Sequence, residues 1–166
     1  QDYSPIGDGA AAVVLEVAEN NSFIGINERR DERFFDFVKM DSAGRTKHHE
    51  TIQFVFTEEF KTFLKTNATD VAKELMVSTG FLPNKVDWFI CHQVGVKALK
   101  GWCRTLELAP EKLLNSFMWT GNCMASNMPL VLDHYINKEP RIKRGDVILF
   151  YALSSGFHAS ALLWRY

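Results

Sequence analysis

Residues 85–95 read KVDWFICHQVG. The first seven alternate little and are dominated by Val, Trp, Phe, Ile and Cys, the pattern of a short strand buried on both faces. The run stops at His92, and Gln93, Val94 and Gly95 lead into a segment with helical spacing. Val94, Ala98, Leu99, Trp102 and Leu106 fall on one face of a helix expected over 94–108. A buried strand passing directly into a helix points to an α/β fold.

The pattern extends in both directions. Upstream, Thr57 is placed to cap a long helix, with Glu58 and Glu59 in its first turn. Phe60, Phe63, Leu64, Val71, Leu75 and Met76 form its inner face, and Gly80 supplies the stop. Earlier still, AAAVVLEV (10–17) reads as a buried strand behind a Gly-Asp-Gly turn at 7–9, in which Asp8 is a buried turn-former. SFIGINE and RFFDFVK read as further strands. Downstream, NSFMW (115–119) is expected as a strand and Gly121–Asn122 as a turn. A helix is expected from Asn122 to Asn137; Pro129 means that it kinks or starts late. GDVILFYAL (145–153) and HASALLWRY (158–166) close the chain as a hairpin around SSGF. This alternation implies a mostly buried mixed sheet packed with helices.

Composition narrows the function. The 166 residues suit one domain, and 46% apolar residues with 13 Phe can fill a core. Nineteen Lys and Arg against twenty Asp and Glu leave a net charge of -1. No basic stripe suggests nucleic acid as a partner, and no run approaches the ~18 apolar residues of a membrane helix. Cys91, Cys103 and Cys123 lack C-x-x-C spacing, which argues against zinc or a disulfide framework and for a reducing cytoplasm. His48 and His49 lie in a polar stretch with no ligand spaced to join them, so no metal is expected. The chain starts at Gln1, as a piece of a longer protein would.

The chemistry-bearing candidates are His92 and Asn122. Both are expected just past the carboxyl ends of strands, where α/β sheets bind ligands. Two adjacent strands would bring them together across thirty residues. An imidazole N–H and an amide NH2 converging there could both donate to one oxygen on which charge develops. Spacing alone favours a capping histidine and a helix-capping asparagine.

IGDGAAAVVLE, DWFICHQ, GNCMASNMPLVLD and IKRGDVILFYALSSGFHASALLWRY, in that order, resemble the C-terminal half of the β-ketoacyl-acyl-carrier-protein synthase III family, within the thiolase superfamily. His92 matches its His-Gln motif; Asn122 and Pro129 match its Gly-Asn motif. The resemblance implies a thiolase-like half with a five-stranded mixed sheet, here residues 1–166. Residues 1–17 would be the last strand region leading from a missing N-terminal half. It implies an acyltransferase that condenses an acyl thioester from acyl-CoA with malonyl-ACP, in fatty acid or polyketide-type biosynthesis. His92 and Asn122 would be catalytic, and the turn at Ser155 and Gly156 would help hold an oxyanion. Gln93 and Gly95 would support the pair from behind. No cofactor is implied. The nucleophilic cysteine would lie outside this chain, which alone would be inactive. Partners would be the missing half, acyl carrier protein and a second subunit in a homodimer or heterodimer.

Two departures stand out: Gly95 replaces a polar residue, and serines 154 and 155 replace glycines. They suggest a divergent member, or a non-catalytic thiolase-like subunit paired with an active ketosynthase. Cys91 and Cys123 occupy places where the family commonly has proline and threonine, and read as small buried hydrophobes.

Overall fold

The computed structural model describes residues 6–17, 22–41, 51–54, 57–154 and 157–166. A five-stranded sheet organises it, in the order β1 (Phe23–Arg30), β7 (His158–Arg165), β6 (Val147–Ser154), β4 (Trp88–Cys91) and β5 (Leu113–Leu114). β1, β7 and β6 are antiparallel neighbours, whereas β6, β4 and β5 run parallel. The sheet is therefore mixed, as expected. A separate hairpin pairs β2 (Val38–Asp41) with β3 (Thr51–Phe54).

Alternation along the strands divides the core. Phe89, Cys91, Leu149, Tyr151, Ala159, Ala161 and Leu163 face one side. They meet Phe60 of α1 (Glu58–Asn67), Val71, Ala72, Leu75 and Met76 of α2 (Asp70–Thr79), and Leu99 and Cys103 of α3 (Val96–Thr105). Ile90, Leu114 and Ile148 face the other side, against Val131 of α5 (Asn127–Asp133), Tyr135 and Ile142. Each large side chain buried this way contributes about 1.5–3 kcal/mol.

The helical caps follow the sequence. The Thr57 hydroxyl accepts the Phe60 N–H at 3.2 Å, and Gly80 closes α2 in the left-handed conformation at φ 71°. The single long helix expected over 57–79 is divided at Ala68–Thr69. There the buried Tyr151 hydroxyl takes the Ala68 carbonyl, while Ala72 N–H bonds to Thr69 instead. α5 starts late, placing Pro129 in the first turn, where its missing N–H costs nothing. It ends in one π-helical turn, His134–Lys138.

Three expected strands differ. Residues 32–37 form a 3-10 helix, so the strand in RFFDFVK begins only at Val38. Asp31 nucleates that turn: its carboxylate accepts both the Arg33 N–H and the guanidinium, which holds the carboxyl below its ordinary range. NSFMW is not a strand either. β5 ends at Leu114, and Phe117–Thr120 make a helical turn, α4. Residues 10–17 are exposed and unpaired among the described residues, with Val14 93% and Val17 102% exposed. Ahead of them, Ile6 forms an isolated parallel bridge to Asn122. The five-stranded sheet ends on β1 and β5, and the run adds to neither edge. Asp8 is likewise exposed, not a buried turn residue.

Candidate active site

Parallel pairing of β4 with β6 sets the position of His92. Cys91 pairs with Tyr151, and the His92 N–H continues the ladder onto the Tyr151 carbonyl at 2.9 Å. The imidazole then turns across the strand ends. Nδ1 lies 2.8 Å from the Leu153 carbonyl oxygen, and Nε2 lies 3.1 Å from Asn122 Oδ1. Both nitrogens thus face oxygen acceptors. A neutral ring has one N–H and donates to one of them at a time. The tautomer with its proton on Nε2 is the one able to serve a ligand oxygen.

Asn122 reaches this place from the turn after α4. Gly121 has φ 68° and ψ -156°, a region essentially closed to other residues. Asn122 is buried, and its Oδ1 accepts the Met124 N–H at 2.9 Å, a local turn that leaves Met124 at φ 53°. This bond fixes which way the amide faces. Nδ2 has no hydrogen-bond partner among the described residues, so it remains a free donor beside the imidazole. Asn127 supports the turn by donating from Nδ2 to the Gly121 carbonyl at 3.2 Å; its own Oδ1 is buried without a partner.

Gln93 ties the two halves of the site together. It is fully buried; its Oε1 accepts the N–H groups of Ser116 and Phe117 at 3.0 and 3.2 Å, and its Nε2 donates to the Cys91 carbonyl at 2.6 Å. One amide therefore joins the end of β4 to the start of α4. Gly95 caps α3 with φ 152°, and a Cβ there would meet nothing within 4 Å. The glycine serves a backbone conformation that an L side chain rarely adopts, not a lack of space.

The three cysteines are free and buried. Cys91 points into the core, where burial pushes its thiol well above the ordinary range. Burial also raises the Cys103 thiol, which donates to the Leu108 carbonyl at 3.4 Å. Cys123 adjoins Asn122 in sequence, but its Sγ donates to the Thr120 carbonyl at 3.4 Å. Ser155 and Gly156, like His48 and His49, lie outside the described residues. No group of three or more His, Cys, Asp or Glu side chains among the described residues is placed to hold a metal. No described helix is long and apolar enough to cross a membrane.

Sequence reading missed three contributors: Gly7, Met124 and Ser126. Gly7 N–H donates to the Asn122 carbonyl at 3.0 Å, and Ser126 Oγ reaches the Gly9 carbonyl at 3.0 Å. The glycine pair at 7–9 was the available signal; it marks a close approach of two chain segments, not a free turn.

A mixed sheet between helices, with a histidine and an asparagine meeting at its strand ends, defines a thiolase-like half. Similarity makes this specific. The solved 3-oxoacyl-[acyl-carrier-protein] synthase III of Aquifex aeolicus superposes with a TM-score of 0.77 at 25% identity, over 90% of this chain and 46% of that one. The β-ketoacyl-[acyl-carrier-protein] synthase III of Alkalilimnicola ehrlichii is 29% identical over 166 residues, covering 96% of this chain and 51% of that protein. The enzyme of that name from Erythrobacter litoralis is 30% identical over 164 residues, with the same coverage of 96% and 51%. Residues 76–166 match the family described as 3-oxoacyl-[acyl-carrier-protein (ACP)] synthase III C terminal, and the chain belongs to it. It spans about half the length of the curated relatives it matches.

Proposed function

We propose that the protein containing this chain catalyses a decarboxylative Claisen condensation. An acyl group from acyl-CoA would be held as a thioester on a cysteine outside residues 1–166. Malonyl-ACP would then lose carbon dioxide: the bond from C2 to the carboxylate breaks, and its electron pair moves onto the thioester oxygen as an enolate. The enolate carbon attacks the acyl-cysteine carbonyl, and the cysteine thiolate leaves, giving a 3-oxoacyl thioester on the carrier protein. The relatives' names supply the carrier protein.

In this reading His92 Nε2–H and Asn122 Nδ2 donate to the thioester oxygen and stabilise the enolate. The observation that carries it is the 3.1 Å approach of His92 Nε2 to Asn122 Oδ1, an oxygen that also accepts the Met124 N–H, with Nδ2 left without a partner among the described residues. Donors fixed in advance at the site of developing charge are worth roughly 10²–10³ in rate each. Gln93 and Gly95 shape the backbone behind the pair, and the Ser155–Gly156 turn is assigned to the oxyanion of acyl transfer. The reaction needs no metal or redox cofactor. A dimer in a reducing cytoplasm completes the picture. A non-catalytic paired subunit is less well supported, because both donors are present and meet.

In the full-length protein, His92→Ala and Asn122→Ala are expected to keep cysteine acylation by acyl-CoA, read by intact mass. Each is expected to lose carbon dioxide release from malonyl-ACP by about 100-fold or more. Condensation at near wild-type rate in either variant overturns these roles.

A further inference from the structure

The segment ahead of β1 contributes to the Asn122 turn in a way that the functional reading leaves unassigned. Ile6 forms a parallel bridge with Asn122, and Gly7 N–H donates to the Asn122 carbonyl at 3.0 Å. Two residues on, the Gly9 carbonyl faces the Ser126 hydroxyl at 3.0 Å, and that hydroxyl also lies 2.7 Å from the Cys123 carbonyl. Residues 6–9 therefore lie along the Thr120–Ser126 turn and hold it at both ends.

Gly7 is required there by proximity. It does not adopt a positive φ. A Cβ on it would sit 1.8 Å from the Thr120 carbonyl oxygen and 3.1 Å from Cys123 Sγ. The first obstacle is backbone and cannot rotate aside. To reach an approach of about 3.0 Å, the Thr120 carbonyl would have to retreat by about 1.2 Å. That peptide leads directly into Gly121 and Asn122. Gly9 is less confined: its Cβ would meet Cys123 Cβ, Leu130 Cδ1 and Ser126 Oγ, each at 3.0 Å and each a side-chain atom.

We propose that Gly7, with Ser126 as its second anchor, is a positioning residue that sets the place of the Asn122 amide relative to His92. The proposal rests on the reading of Asn122 as an enolate donor. A displacement near 1 Å at such a donor costs on the order of 100-fold in rate, so one methyl group at position 7 acts on the chemistry without touching substrate. Acyl transfer to the cysteine does not use Asn122 and is left intact.

The test uses the full-length protein and four variants: Gly7→Ala, Ser126→Ala, Ser126→Thr and Gly101→Ala. Gly101 lies in α3, and a Cβ on it would meet nothing within 4 Å, so its variant controls for glycine replacement alone. Expected for Gly7→Ala is a loss of malonyl decarboxylation of about tenfold to 100-fold, with cysteine acylation within about threefold of wild type. Ser126→Ala is expected to show the same split at several-fold, and Ser126→Thr, which keeps the hydroxyl, to restore the rate. Gly101→Ala should match wild type. A folded Gly7→Ala protein that decarboxylates within about twofold of wild type overturns the proposal. If Gly7→Ala does not fold, Ser126→Ala decides, and an unchanged rate there overturns it. A crystal structure of Gly7→Ala separates this proposal from the functional reading. A Thr120–Asn122 segment left in place sinks the positioning claim. A displaced segment alongside a fully active Asn122→Ala sinks the enolate reading instead.

Discussion

The sheet core and the turn that carries Asn122 are built by different physics. In the core, β4, β6 and β7 present alternating apolar side chains to two layers of helices, and most are less than 5% exposed. In the 116–126 turn, few side chains pack. Its shape comes from polar bonds onto backbone atoms: Gln93 to Ser116 and Phe117, Asn127 to Gly121, Gly7 to Asn122, and the Asn122 side chain to Met124. It also accepts two residues at positive φ, Gly121 and Met124. The core tolerates exchange among hydrophobes of like volume; the turn depends on individual atoms.

The contrast can be broken by measurement. Phe89 is fully buried, and Phe89→Ala is expected to lower unfolding free energy by about 3–5 kcal/mol in urea titration. The surviving folded fraction should keep its catalytic split unchanged. Gln93→Ala removes the acceptor of the buried Ser116 N–H and the part-buried Phe117 N–H and the donor to the Cys91 carbonyl, so about 2–3 kcal/mol is expected. Here decarboxylation should fall by more than the loss of folded protein explains. A Gln93→Ala protein with full activity would show that the turn holds itself, and the contrast would fail. The third effect is smaller and belongs to the core. Burial raises the Cys91 thiol, so the folded state keeps its proton to higher pH than the unfolded chain does. Its contribution is intact below about pH 8.5 and is lost as pH rises, at about 1.4 kcal/mol per pH unit. Unfolding curves of wild type and Cys91→Ala should therefore converge in slope below that pH and diverge above it.

This contrast also explains what could be read from sequence. Core strands announce themselves by apolar runs and turn residues, and β1, β4, β6, β7 and the helical faces were all legible that way. The Thr57 cap and the Gly80 stop were legible because each acts within one turn of chain. NSFMW was misread because its side chains suit a strand, whereas Gln93, more than twenty residues earlier, captures the Ser116 and Phe117 N–H groups and turns the chain into α4. RFFDFVK was misread for a similar reason, with Asp31 winding the chain before the strand starts. The pairing of His92 with Asn122 was legible through motif order. The hold of Gly7 on the Asn122 turn was not, since a glycine kept clear for a carbonyl over a hundred residues away looks like any turn glycine.

The exposed run from Ala10 to Val17 has a practical consequence for handling the polypeptide. Val13, Val14, Leu15 and Val17 are each more than 60% exposed, in a β-prone stretch broken by one charge, Glu16. A ribbon that is apolar on both faces and carries unpaired backbone groups is a template for strand pairing between molecules. Residues 1–166 expressed alone would meet a colloidal problem before a catalytic one. A lysine at position 14 would be the first change for keeping them dispersed.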